Sequence, residues 1–161
     1  MDLAIRSGKV LGLKTAPGPR ILMMTTGQKR IVTLEDYNRL MQLIEPLRVK
    51  REMPLHVEHL LARLGNAELV DQQEVGKNII TMNTKMLLKN LSNGREAQIT
   101  LAYPKEANHL NSRISIFSDI GVSLLGSKRG EVVTWQTPVG QGQFCVEEVL
   151  YQPEAAKEFQ L

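Results

Sequence analysis

The chain has 161 residues, 42% of them apolar and 23% charged, with a formal charge of +3; this is a globular balance with room for one ordinary domain or two small ones. A single cysteine, Cys145, excludes an internal disulfide framework and a multi-cysteine zinc site. Only 4% of the residues are aromatic, which argues against surfaces that stack bases and against a deep aromatic pocket.

Residues 1–24 carry Arg6, Lys9, Lys14 and Arg20 against Asp2 alone, and Gly8, Gly12, Pro17, Gly18 and Pro19 break any period. They read as a flexible basic tail. The rest of the chain holds 16 basic and 16 acidic side chains, so the net charge belongs to the tail. Four dispersed cations would release few counterions, and direct sequence-specific nucleic-acid binding is not expected. Lys9, Gly12, Lys14 and Pro17 interrupt the Val10–Leu13 cluster, so no signal-peptide core is visible. No apolar run approaches the roughly 18–20 residues of a membrane span. A soluble cytoplasmic protein without membrane association is the expectation.

A helical pattern begins at Thr33, a suitable N-cap, with Glu35 and Asp36 at the positive end of the first turn. Leu34, Tyr37, Leu40, Met41, Ile44 and Leu47 follow at helical spacing, and Pro46 should loosen the last turn. A second pattern starts after Pro54, with Val57, Leu60, Leu61, Leu64 and Ala67 on one face. Residues 25–76 therefore read as an antiparallel helical hairpin, a short coiled coil with arms of roughly 15 residues or about 23 Å. Its tip gathers Arg48, Lys50 and Arg51, with Glu52 the only acid between 46 and 57.

From Ile79 the period changes to two. Met82–Leu91 reads as a strand, Ser92-Asn93-Gly94 as a tight turn, and Ile99, Leu101 and Tyr103 as the inner face of a second strand. A polar connection from Pro104 to Ser112 leads to a third strand at Arg113–Phe117. Ser118 caps a short helix that ends at Gly126. Glu131–Gln136, a loop over Pro138–Gly142 and Gln143–Tyr151 close the sheet. The fold class is α+β, a helical hairpin followed at 77–161 by an antiparallel sheet with one short helix.

Catalytic constellations are weak. His56, Glu58 and His59 lack a third ligand and read as a solvated helix face. Gly140-Gln141-Gly142 leads into a strand, whereas a phosphate cradle needs a helix N-terminus after the glycines. Ser118, Ser123, His109 and Asp119 lack a strand–nucleophile–helix elbow, and Cys145 reads as a packed thiol. No catalytic residue, metal or cofactor is expected. Ile120, Val122, Leu124 and Leu125 crowd one short segment, where part of the apolar surface could form a contact patch.

Thr81-Met82-Asn83, Asn90-Leu91-Ser92-Asn93-Gly94, Tyr103-Pro104, Leu124-Leu125-Gly126 with Gly130, and Tyr151-Gln152-Pro153-Glu154-Ala155-Ala156 together resemble the Gre family of bacterial transcription factors (GreA/GreB), and within it the branch of Rnk-like regulators. The resemblance covers about 79–161 by motif and the hairpin by pattern. It implies an FKBP-like C-terminal domain that docks on RNA polymerase at the rim of the secondary channel through Ser118, Asp119, Ile120, Gly121 and Val122. It also implies a hairpin pointing toward that channel, whose acidic tip in cleavage factors helps to hold a second Mg²⁺. Here the tip residues Arg48, Lys50 and Arg51 surround Glu52, and divalent-metal chemistry needs carboxylates. Binding without cleavage, in competition with Gre-type factors, is the expectation. The alternatives are an FKBP-like prolyl isomerase and an active transcript-cleavage factor. Asp119 stands where the family usually has a proline, a departure that bears on docking.

Overall fold

A computed structural model describes residues 29–159; the basic tail expected at 1–24 lies outside the described residues. The chain enters through strand β1 (Ile31–Thr33), forms helices α1 (Leu34–Lys50) and α2 (Leu55–Gly65), and leaves through β2 (Glu68–Val70). Thr33 caps α1, its side chain accepting the Asp36 amide at 3.1 Å, as its position before the apolar period predicts. β1 and β2 pair in parallel, Ile31 opposite Glu68, so the entry to α1 and the exit from α2 meet and the helices run out and back.

Three local expectations change. The stretch 25–76 is not helical throughout, because its base is the two-strand ladder. The arms are unequal, 17 and 11 residues, since the left-handed Arg51 (φ 59°) and Pro54 set their facing ends. Pro46 stands inside α1 and leaves the carbonyl of Gln42, an exposed residue, without its in-helix donor. Leu34, placed on the apolar face by its spacing, is 45% exposed; Asp36 occupies the inward position of that turn instead.

The larger sheet contains β3 (Lys85–Asn90), β4 (Glu96–Ala102), β5 (Arg113–Ser115), β6 (Val132–Thr137) and β7 (Gly140–Tyr151), in the order β5-β4-β3-β7-β6. It is not wholly antiparallel, because β5 pairs in parallel with β4. The intervening segment folds into two 3-10 turns, Pro104–Glu106 and His109–Asn111, and so returns the chain in its original direction. β3 starts later than its hydrophobic pattern suggests: Asn83 is left-handed (φ 67°) and Thr84 Oγ1 accepts the Thr81 amide at 3.0 Å, forming a turn. The turn at Asn93-Gly94 is as expected, with the Gly94 amide bonded to the Asn90 carbonyl at 2.8 Å. Between β6 and β7 the loop shrinks to Pro138-Val139, because Thr137 pairs directly with Gly140.

Helix α3 (Asp119–Leu124) packs on this sheet. Gly126, at φ 79°, ends it where a Cβ would lie 2.8 Å from the Arg30 Cβ. One apolar cluster joins Leu40, Ile44, Val57, Leu60 and Leu64 of the helices to Met82, Met86, Leu101, Ile116 and Leu124 of the sheet region. The core thus sits between α1, α2, α3 and the sheet.

Candidate functional site

The junction between helices and sheet is organised by a buried carboxylate. Asp36 is 5% exposed. Its Oδ2 accepts the Met82 amide at 3.0 Å and its Oδ1 the Tyr103 hydroxyl at 3.1 Å. Burial holds its pKa above the ordinary carboxylate range, while both donors act the other way. Burial and then the Asp36 charge push the Tyr103 phenol upward. Alongside, Thr81 Oγ1 donates to Glu154 Oε1 at 2.7 Å, and Gln152 Nε2 donates to the Gly76 and Ile79 carbonyls at 2.8 and 2.7 Å. Glu154 is also raised, first by burial and further by Asp36 and Glu35. The motifs at 81–83 and 151–156 are thus joined directly through Thr81 and Glu154, and Asp36 links Met82 of the first to Tyr103 of the motif at 103–104.

Next to this junction, the α3 segment divides by exposure. Ser118 is an N-cap: its Oγ accepts the Gly121 amide at 3.1 Å and donates to the Ser115 carbonyl at 2.6 Å. Asp119 is exposed and Ile120 half-buried, whereas Gly121 and Val122 are buried. A Cβ at Gly121 would lie 2.3 Å from the Ser115 carbonyl oxygen, so that glycine permits close packing of α3 and faces no solvent. Of the five residues expected to form a contact, Asp119 is exposed and Ser118 and Ile120 are part-exposed, while Gly121 and Val122 are buried.

Ile120 does not stand alone. With Leu88, Ile99, Ile114, Trp135 and Phe144 it lines an apolar groove of about 330 Å³, with Asn90, Asn93, Arg95 and Glu96 at its rim. The Trp135 and Phe144 rings stack with centroids 4.0 Å apart. They are diagonal neighbours on β6 and β7, and Gly142, opposite Trp135, leaves the space: a Cβ there would meet Phe144 Cε2 at 2.6 Å. Low aromatic content argued against a deep aromatic pocket, yet two rings suffice for a shallow one. The signal available was the alternation on either side of the Pro138-Val139 turn, which puts both rings on one face.

The helix tip carries Arg48, Lys50, Arg51 and Glu52, all exposed. Arg48 is paired one turn back with Glu45, Nη2 to Oε2 at 2.7 Å and Nε to Oε1 at 3.2 Å. Its charge is thereby offset, and Lys50 and Arg51 carry the positive balance. Val49 and Leu55 are 72% and 66% exposed there, so the tip is apolar as well as cationic.

The remaining candidates lie apart. His56 is half-buried and Glu58 and His59 are exposed on α2; among the described residues no group of three or more His, Cys, Asp or Glu is placed to hold a metal. Ser123 Oγ donates to the Asp119 and Thr134 carbonyls, at 2.9 and 3.2 Å, and His109 sits in a separate 3-10 turn. Burial, reinforced by Glu147, pushes the Cys145 thiol up, away from a reactive thiolate. Gly140 and Gly142 belong to β7. No helix among the described residues is long and apolar enough to cross a membrane.

Comparison with known proteins places these features. Residues 75–151 match the family described as transcription elongation factor, GreA/GreB, C-term. The regulator of nucleoside diphosphate kinase of Escherichia coli strain K12 is 34% identical over 103 residues, 63% of this chain and 76% of that protein. Transcription elongation factor GreA of Thermotoga neapolitana is 34% identical over 86 residues, which span 53% of this chain and 54% of GreA. Among solved structures, a prokaryotic transcription elongation factor GreA/GreB from Nitrosomonas europaea superposes with a TM-score of 0.66 at 32% identity, covering 76% of this chain and all of that one.

Proposed function

This chain belongs to the GreA/GreB family of transcription elongation factors, and on that premise we propose that it is a non-catalytic regulator that binds bacterial RNA polymerase near its secondary channel. In this reading residues 25–76 supply a short hairpin and 77–161 an FKBP-like docking domain. Docking uses the exposed Asp119 and the half-buried Ile120 with the adjoining Trp135–Phe144 groove, an apolar recess with a polar rim of the kind that seats a partner side chain. A polymerase partner would put the protein in the cytoplasm.

The observation that carries the non-cleaving part is the tip. A cleavage factor must bring carboxylate oxygens to a divalent cation. Lys50 and Arg51 immediately precede the single tip acid Glu52, and Glu45 is engaged by Arg48. Such a tip repels Mg²⁺. The 17-residue α1 also reaches only about 25 Å, which suits occupation of a channel entrance better than delivery of a ligand to a buried centre. Competition with Gre-type factors for that entrance follows.

The test combines retention and chemistry. Purified bacterial RNA polymerase is expected to retain the protein, and excess GreA to displace it. Backtracked elongation complexes incubated with the protein are expected to keep their RNA intact. Retention indifferent to GreA would overturn the shared site, and shortened RNA would overturn the argument from the tip.

A further inference from the structure

A second recess lies beside Arg39 of α1, along the row of sheet residues that alternates with the buried Met86 and Leu101. The register sets Tyr151 of β7 opposite Lys85 of β3, Lys85 opposite Thr100 of β4, and Thr100 opposite Arg113 of β5. These four residues form one cross-strand row. Arg39 and Tyr103 complete the walls of a cleft of about 650 Å³, a volume within the range of small-molecule sites. Lys85 and Arg113 are two strand spacings apart, roughly 10 Å, with Thr100 between them.

The charge in this row is one-sided. Cations on a sheet face are ordinarily balanced by carboxylates on the neighbouring strand, and this row contains none. One acid, Glu106, lines the cleft itself: its carbonyl accepts Arg113 Nε at 3.0 Å and its Oε1 lies 3.4 Å from Arg113 Nη2, which also reaches Asn83 Oδ1 at 3.4 Å. Two further acids are engaged outside the row. Glu158 accepts the Tyr151 hydroxyl. Asp36 is buried and bonded to Tyr103. On the helix side the Arg39 guanidinium lies 6.0 Å from the centre of the Tyr103 ring.

We propose that this cleft binds a small anion carrying two or more phosphate groups. Lys85 and Arg113 would each take one phosphate, and the Thr100 hydroxyl would donate between them. A guanidinium fork and an ammonium suit phosphate oxygens, and the separation of the two cations favours a ligand whose charge is spread over several ångströms. Arg113 Nε stays on the Glu106 carbonyl at 3.0 Å, while the part-exposed carboxylate contact of Nη2 at 3.4 Å is weak enough to exchange for phosphate. This site is independent of polymerase docking: the Trp135–Phe144 groove shares no lining residue with it.

The test uses the full chain and inorganic tripolyphosphate, titrated calorimetrically at fixed ionic strength beside orthophosphate and sulfate. Saturable binding of tripolyphosphate, tighter than that of either control, is the expected result. Lys85→Ala changes an exposed side chain and should weaken binding at least about tenfold, the scale of one lost charge-assisted hydrogen bond. Thr100→Val, close in shape, should weaken it less, and Lys50→Ala at the tip should leave it unchanged. Absence of saturation, equal binding of sulfate, or an unaltered Lys85→Ala would overturn the proposal. So would a glutamate-rich peptide that binds the cleft where tripolyphosphate does not.

Discussion

Asp36 sits where a carboxylate is favoured by the helix N-terminus, yet its larger role is to hold two donors from distant parts of the chain. Asp36→Ala would leave the Met82 amide and the Tyr103 hydroxyl without that acceptor, a loss of roughly 2–4 kcal/mol readable by urea denaturation. Its protonation adds a pH signature. Burial raises its pKa in the folded state, so the folded protein holds the proton more tightly than the unfolded chain. That contribution to stability is complete below the unfolded value of about 3.9 and is lost as pH rises through the folded one. Glu154 titrates in the same direction. The stability of the native protein minus that of Asp36→Asn should therefore be greater at about pH 4 than at about pH 7. The opposite slope would mean that the two hydrogen bonds outweigh burial.

Among the secondary-structure elements, α3 shows how an acid is accommodated at Asp119, where the resemblance implied a proline. Asp119 is the first helical residue after the Ser118 cap, a position that accepts either proline, whose missing N–H is no loss there, or an acid, which suits the helix end. Ser118 is already extended, at φ −142° and ψ 160°, as a residue before proline must be. Asp119→Pro should thus change stability by less than about 1 kcal/mol, measured by thermal melting, while removing the negative charge beside the Ile120 groove. If Asp119 faces polymerase as proposed, retention on the enzyme should change in that variant without a matching loss of fold. A large drop in melting temperature would contradict the helix-start assignment. The sequence made α3 readable because Ser118 and Gly126 are local signals. That Gly121 and Val122 point inward was not readable, since only the packing of α3 against Ser115 and Ile116 decides it.

Across the molecule, the helices and the sheet share one core, with Leu40 and Leu60 in the same cluster as Met82 and Leu124. Arg30, just before β1, pairs with Glu131 at 2.9 Å, adding a link between the base of the helices and the sheet region. A hairpin bound in this way should not melt by itself. Urea unfolding followed by far-ultraviolet circular dichroism, dominated by α1 and α2, and by fluorescence of Trp135 in β6 should give coincident transitions. Separate midpoints would show that the hairpin folds as an independent unit.

The sequence alone determined what depends on close neighbours. It marked the start of α1 at Thr33, the turn at Asn93-Gly94, the Ser118 cap, the uneven placement of charge and the motifs that lead to the family, because caps, turns and helical periods are set within a few residues of chain. Tertiary structure decided what depends on distant ones. Asp36 finds its partners 46 and 67 residues away, and β5 becomes parallel only because two 3-10 turns redirect it. The Trp135–Phe144 groove and the Lys85–Thr100–Arg113 row exist only once strand register is fixed. Burial and pairing across strands belong to the assembled surface, and local periodicity does not encode which surfaces will meet.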